Sequence, residues 1–428
     1  MPPGPAEKSD LHTTEESFYR VANLLQEYGD VTCLHSAIRQ SDSYLVNHPD
    51  YIKHILVNNN QNYNKGPGFE RVKMLLGNGI IVSDGVFWRR QRRMIQPSFS
   101  RQLIAGMMDD VKACNLRLLD DWLQKAKNND VVDITEEMSQ LSLEIILRVL
   151  LGRDYDRILE EQGENPFAIL TQDPSRDMRL VLKYRALTGI IQGIIDHRRR
   201  HPLDAEDFLS SFMAAEDKDT GEPMTDKELI DEVMTLIVAG HETSAGALNW
   251  AWYLLAQHPT EMQKLCDEID AAGFEEIPEF EQLEKLPYAR QILDESLRLY
   301  PPVWLFTRKA IHEDRIGPYD VPAGTDIFIA PYYLHRHPAF WDEPEVFRPE
   351  RFSEEAVKAR HKFVHIPFSA GPRRCIGDYF AMVEMQMHLA MIAKKISLEI
   401  VAPRTLELAP DVNLRSKQAF EMRLSLRQ

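Results

Sequence analysis

Cysteine is scarce in this chain of 428 residues, and none of it is paired by spacing. Cys33, Cys114, Cys266 and Cys375 lie far apart with no Cys-x-x-Cys pair, which suggests neither a disulfide framework nor a zinc module. Positive charge is also short. Fifty Lys and Arg against 66 Asp and Glu leave a formal net charge of −16, which argues against nucleic acid as a partner. No run of about 20 apolar residues occurs. The opening Met1-Pro-Pro-Gly-Pro is polar, then acidic, with no h-region, so neither a secretory leader nor a membrane anchor is expected. Linkers, repeats and low-complexity tracts are missing too, although the length alone allows two or three domains. With 44% hydrophobic and 27% charged residues, the chain reads as a soluble globular protein with material for a large core.

Against this background one stretch stands out, Phe368-Ser-Ala-Gly371-Pro-Arg373-Arg374-Cys375-Ile376-Gly377. A cysteine at the mouth of a helix receives the positive end of the helix dipole and free backbone N–H groups, which favours the thiolate. Gly371 and Gly377 allow a tight turn and a close approach of the backbone to a flat group. Arginines offer forks for carboxylates. A thiolate, a close backbone and carboxylate binders together suit haem. The bland alternative is a buried structural cysteine, the ordinary meaning of a lone one.

The pattern Phe-x-x-Gly-x-Arg-x-Cys-x-Gly, with Phe368, Gly371, Arg373, Cys375 and Gly377 all in place, resembles the haem-thiolate signature of the cytochrome P450 family. The resemblance covers nearly the whole chain. It implies a mainly α fold with small β-sheets, a triangular helix-rich single domain over 1–428. The β-rich part is expected at about 30–60 and 300–350, and the helical core at about 87–300 and 376–395. It further implies haem b with Cys375 as the metal ligand, and Phe368, Gly371 and Arg373 among the cofactor-binding residues.

Three further motifs follow the family's order. In Phe87-Trp88-Arg89-Arg90-Gln91-Arg92-Arg93, Trp88 and Arg92 are four apart and share a helix face. Alone this is a solvated basic run; the resemblance makes Trp88 and Arg92 contacts of a haem propionate. The remaining arginines, Arg89, Arg90 and Arg93, are expected to face solvent as a basic patch where a ferredoxin- or flavodoxin-type electron donor docks. A long helical pattern over Asp226 to His258 carries Ala239-Gly240-His241-Glu242-Thr243. Small residues in mid-helix call for a reason, either a ligand against the backbone or a helix–helix contact through Gly240. By resemblance, Glu242 and Thr243 are the acid–alcohol pair that handles protons for bound oxygen, with Ala239 beside the cofactor. Glu295 and Arg298 are i and i+3 on a helix, and Pro349-Glu350-Arg351-Phe352 follows later. The resemblance joins Glu295, Arg298 and Arg351 in a structural network.

Other segments line the expected pocket. Gly77 to Gly85 is loop-like, and Ile80, Ile81 and Val82 either pack under the loop or face a ligand. Val303-Trp304-Leu305-Phe306 is an apolar run after Pro302 that can enter a pocket. Ile81, Val82, Val238, Ala239, Trp304 and Phe306 are therefore the expected substrate-pocket residues, and Arg308 is by resemblance a further propionate contact. Between Gly152 and Arg198 the sequence shows one clear helix, near Leu180 to Arg200, where the family places two helices and a loop as a lid. Either that lid is trimmed or residues are missing. His335, His337, His361 and His365 complete no metal geometry and read as a solvated surface. The methionines that follow Cys375 (Met382, Met385, Met387, Met391) read as core filler.

The resemblance thus implies a cytoplasmic, bacterial-type, monomeric monooxygenase. It would insert one oxygen atom of O2 into a C–H bond of a fatty acid, terpenoid or steroid. Electrons would come ultimately from NAD(P)H through a separate protein. A peroxide-using or rearranging haem-thiolate enzyme is the alternative that Glu242-Thr243 counts against. A haem-based binding or sensor protein is the alternative of another class.

Overall fold

The computed structural model describes residues 1–428 apart from 40, 173–177, 203–206, 275–276, 404 and 428. The chain divides into two compact units. One comprises Met1–Phe69, Arg290–Asp378 and Arg404–Gln418; the other comprises Glu70–Ala289, Tyr379–Pro403 and Ala419–Gln428.

The first unit is built on a five-stranded sheet in the order Val31–His35, Asp42–Val46, Asp326–Ile329, Phe306–Ala310, Tyr63–Lys65. Asp42–Val46 runs parallel to Asp326–Ile329, and the other pairs are antiparallel. Asp314–Ile316 and Tyr319–Val321 pair around Gly317, whose φ of +58° suits glycine, and the chain then re-enters the main sheet at Asp326. The helix Glu15–Tyr28 begins at Thr14, whose hydroxyl accepts the Ser17 N–H, and ends at Gly29 with φ +86°. It buries Phe18, Val21 and Leu24 at helical spacing against Trp304, Leu305 and Phe328. The helix Pro49–Lys53 widens to a π-turn over His54–Asn58.

The second unit is helical, with a three-stranded sheet of Val131–Asp133, Glu421–Leu426 and Ile396–Ala402. Its longest helix, Asp226–Gln257, opens on a capping box: the Thr225 hydroxyl accepts the Glu228 N–H, and the Glu228 carboxylate accepts the Thr225 N–H. The segment expected to hold one helix holds three, Arg153–Gln162, Ile169–Gln172 and Met178–Arg200. Residues 173–177 of the expected lid lie outside the described residues.

The helix Asp378–Ala393 is buried along nearly its whole length from Phe380 onwards, including all four of its methionines. Its polar members are each bonded. Gln386 donates to the Leu283 and Leu286 carbonyls at 2.9 and 2.7 Å. Ser244 donates to Glu384 at 3.3 Å. Trp252 Nε1–H donates to His388 Nε2 at 2.9 Å, and His388 Nδ1 lies 2.7 Å from Asn115 Oδ1. Burial holds the His388 imidazole down to about 3. The fold therefore favours the neutral ring. The stability this supplies is present above the unfolded value near 6.5 and is lost as pH falls from there toward 3, at about 1.4 kcal/mol per pH unit. Urea midpoints measured at pH 7, 6 and 5 should decline more steeply for the native chain than for His388→Gln. Equal slopes would show that His388 does not carry this dependence.

Candidate active site

Cys375 lies in the first unit, three residues before the helix that begins at Asp378. Its N–H donates to the Phe368 carbonyl at 2.9 Å, closing a loop that contains the short 3-10 turn Gly371–Arg373. Gly371 has φ +70°, and a Cβ there would sit 1.9 Å from the Leu56 carbonyl oxygen. That position is fixed as glycine by the chain of its own unit. Cys375 is exposed, whereas Cys33, Cys114 and Cys266 are buried. Burial pushes the Cys33 thiol up to about 11 and the Cys114 thiol up to about 12, and raises that of Cys266. Phe368 and Arg373 are half-buried, and Arg374 pairs with Asp378.

The other expected residues of this unit differ in burial. Arg308, on Phe306–Ala310, is 4% exposed; it donates to the Thr307 carbonyl at 2.8 Å and lies over the Phe306 ring at 5.1 Å. Phe306 is half-buried. Trp304, expected in the pocket, is a core residue instead. It is 0% exposed, meets Phe18 edge-on at 5.2 Å, and donates its indole N–H to the Asp411 carbonyl at 2.7 Å. A ring so enclosed touches no small molecule unless the core opens.

Glu295 and Arg298 are both fully buried and meet through two bonds of 2.6 and 2.8 Å. Arg351 approaches Glu295 at 3.4 Å, and the Arg348 N–H donates to the same carboxylate at 2.9 Å. Arg298 also donates to the carbonyls of His335, Pro344 and Val346. The histidines are not the solvated surface expected. His335 is 0% exposed, accepts the Ile366 N–H at 2.9 Å, and is held down to about 3 by burial and by the Arg298 and Arg336 charges. Burial likewise holds His365 well below its usual range. His337 pairs with Asp30 and His361 with Asp50.

The second unit carries the remaining expected residues. Along the buried helix Asp226–Gln257, the positions Val238, Ala239, Glu242, Thr243 and Gly246 stay half-exposed, while Ile237, His241, Ser244, Ala245 and Ala247 are buried. That is an i, i+4 stripe on one face. Thr243 Oγ1 donates back to the Ala239 carbonyl at 2.6 Å. Gly240 serves a different purpose from Ala239. A Cβ there would lie 2.9 Å from Ile146 Cδ1, so its smallness admits the neighbouring helix Ile134–Leu151. His241 is buried, with Nε2 3.0 Å from Ser139 Oγ.

The helix Gly85–Ile95 holds Trp88, 8% exposed, and Arg92, half-buried, whose Nε donates to Gln96 at 3.1 Å. Of the three arginines expected to face solvent, Arg89 and Arg93 are exposed and Arg90 is half-buried. Arg90 pairs with Asp217 and Glu228, and Arg93 with Asp217 and Asp219.

Gln91 and Glu232 escaped the sequence reading. Both are 0% exposed and bonded to each other at 3.3 Å, and Glu232 also accepts the Ile80 N–H at 2.9 Å. Burial pushes the Glu232 carboxyl up to about 7, against the pull of those two donors. The signal was present: Glu232 shares a helix face with Leu229 and Leu236, where a charge is out of place.

The family description Cytochrome P450 matches residues 9–165 and 161–418. The chain belongs to the cytochrome P450 family. This cytochrome P450 is 33% identical over 389 residues to cyclooctatin synthase of Streptomyces melanosporofaciens, covering 87% of this chain and 84% of that one. It is 33% identical to cyclooctat-9-en-7-ol 5-monooxygenase of the same organism, over 86% of this chain and 82% of that one. It is 29% identical to pentalenene oxygenase of Streptomyces avermitilis, over 86% and 83%. The P450 is an oxidoreductase, a monooxygenase whose family implies a haem-iron cofactor, O2 and a redox partner. Among the described residues, no helix is long and apolar enough to cross a membrane.

The residues present fit a haem. In the first unit the exposed cysteine sits in a turn whose own N–H is already bonded, and Arg308 and Arg373 of the same unit suit propionates. A half-open stripe bearing a carboxylate and a hydroxyl suits a reaction that needs protons.

Proposed function

We propose that this P450 hydroxylates a C–H bond of an apolar, terpenoid-type molecule, using haem b over a single domain spanning 1–428. Electrons come from NAD(P)H through a separate ferredoxin- or flavodoxin-type protein. Among fatty acids, terpenoids and steroids, the relatives' names favour the second, since pentalenene and cyclooctat-9-en-7-ol are unsaturated ring compounds by name. The observation that carries the reading is the exposure of Cys375 alone among four cysteines, within the family's signature.

In this reading Cys375 holds the iron, and Trp88, Arg92, Arg308 and Arg373 hold the propionates. The haem, when bound, supplies oxygen activation, favoured by thiolate donation. The chain supplies position and protons. Thr243, whose hydroxyl is anchored on the Ala239 carbonyl, offers an oxygen at a fixed point of the stripe. Glu242, half-exposed beside it, exchanges protons with solvent. Ile81, Val82, Val238, Ala239 and Phe306 exclude water from the substrate.

The test is turnover under 18O2 with a reductase-driven ferredoxin and panels of terpenoid hydrocarbons, fatty acids and steroids. Label in one hydroxyl of a terpenoid product is expected. Label from peroxide alone, or product only from fatty acids, overturns the reading. Thr243→Ala and Glu242→Gln should each lower product formed per O2 consumed by about tenfold or more, with peroxide accumulating instead. Unchanged coupling in both would remove them from proton delivery.

A further inference from the structure

The buried acid Glu232 and its neighbour Asp231 hold the loop before the arginine helix in an unusual way. The Asn78 N–H donates to Asp231 Oδ2 at 2.9 Å, and the Ile80 N–H donates to Glu232 Oε2 at 2.9 Å. Alternate amides of the loop thus reach adjacent carboxylates of one helix turn, and the Val82 and Ser83 N–H groups both turn back onto the Gly79 carbonyl at 3.0 Å. The intervening glycines make this possible. A Cβ on Gly77 would lie 2.0 Å from Asp231 Oδ1, and one on Gly79 would lie 2.2 Å from Thr235 Oγ1. The loop therefore lies flat on the helix with no side chain between them.

The two carboxylates differ in surroundings. Asp231 is bonded to Lys227 at 2.8 Å near the surface. Glu232 is fully buried, and its other oxygen takes the amide of Gln91. Gln91 Oε1 in turn accepts from Arg90, which also binds Glu228 and Asp217. A chain of bonds runs from the loop through Glu232 to the helix that carries Trp88 and Arg92. Leaving a buried amide N–H without an acceptor costs more than an ordinary hydrogen bond supplies, so the loop stays where these carboxylates put it.

We propose that Glu232, with Asp231, is a positioning residue that sets the substrate specificity of this P450 by fixing the loop 77–82 as a rigid wall. Ile80 and Val82 are anchored in the core at 7% exposure each, and Ile81 between them is half-exposed. A wall pinned by two amides and admitting no Cβ cannot retreat from a bulky ligand. It therefore sorts rigid apolar molecules by size. The inference rests on reading Ile81 as part of the substrate wall.

The experiment uses the holoprotein and two readouts. Hydrogen exchange of the 77–82 peptide should quicken about tenfold in Glu232→Leu, which leaves the Ile80 N–H without an acceptor. It should stay close to native in Glu232→Gln, which keeps one. Gly79→Ala, which disturbs the same contact from the loop side, should also quicken it. Exchange over Ile134–Leu151 should be unchanged, showing that the fold is intact. Native protection of 77–82 in both Glu232→Leu and Gly79→Ala overturns the clamp, and this readout needs no haem spectrum. The second readout is the ratio of dissociation constants for imidazole and 4-phenylimidazole, measured at the haem band. Loosening should shift the ratio at least about fivefold toward the bulky ligand and leave imidazole alone unchanged. Fast exchange with an unchanged ratio overturns the specificity role while leaving the assignment of Cys375 intact. A protein with no thiolate-type haem band would instead overturn the proposed function.

Discussion

Cys375→Ser is expected to abolish the thiolate-type Soret band of the carbon-monoxide complex, while Cys33→Ser, Cys114→Ser and Cys266→Ser leave it in place. The four cysteines differ in what surrounds them. Three are buried, which raises their thiols, and a buried thiol held protonated makes a poor ligand. Cys375 is exposed on a turn whose geometry is set by Gly371 against the Leu56 carbonyl and by the Cys375 N–H on Phe368. Serine has nearly the same shape but supplies no thiolate, so the turn survives and the ligand does not. The reduced carbon-monoxide difference spectrum decides this directly. A thiolate-type band that persists in Cys375→Ser would assign the iron to another residue. Gly371→Ala extends the prediction. Its methyl would strike the Leu56 backbone, so the turn must move, and haem retention should fall with the cysteine still present.

The second large effect is expected at Glu295. Glu295→Leu leaves Arg298 and Arg351 with no carboxylate in a region where Arg298 is fully buried. Removing one partner of a buried ion pair typically costs about 3–5 kcal/mol, because the remaining charge is left uncompensated. A pair that served only itself could be replaced by two apolar residues at little cost. That rescue should fail here. Arg298 also donates to the carbonyls of His335, Pro344 and Val346, and Glu295 accepts the Arg348 N–H. The double variant Glu295→Leu/Arg298→Leu would strand all four backbone groups. Urea midpoints followed by tryptophan fluorescence should therefore show both variants well below the native chain. A double variant as stable as the native protein would mean that these carbonyls find other donors.

Much of the scaffold could be read from the residues. The long helix over Asp226–Gln257 was legible because apolar spacing is local chemistry. What the sequence could not convey was the partner across the chain. Arg90 read as a solvated residue because its acids, Asp217 and Glu228, lie far along the sequence. Trp304 read as pocket because an apolar run after proline carries no sign of which side faces the core. Gly371 read as making room for a flat ligand, yet the atoms it makes room for are those of Leu56, while of the two readings open for Gly240 the contact with Ile146 is the helix–helix one. His335 and His365 look like surface histidines until Arg298 and the aromatic rings around them are placed. In each case the type of residue was informative and its neighbour was not.

The interleaving of the two units also bears on how the chain is made. The first unit joins Met1–Phe69 to Arg290–Asp378, and its central sheet pairs Asp42–Val46 with Asp326–Ile329. At about 5–20 residues per second, a ribosome delivers the second strand many seconds after the first. During that interval the hairpin Val31–Val46 has an open edge, and its apolar face lacks the residues that later cover it. Cys375 emerges later still, after nearly all of the helical unit. A nascent chain halted before residue 326 should be held by chaperones, whereas one halted just after residue 418 should already have its sheet paired.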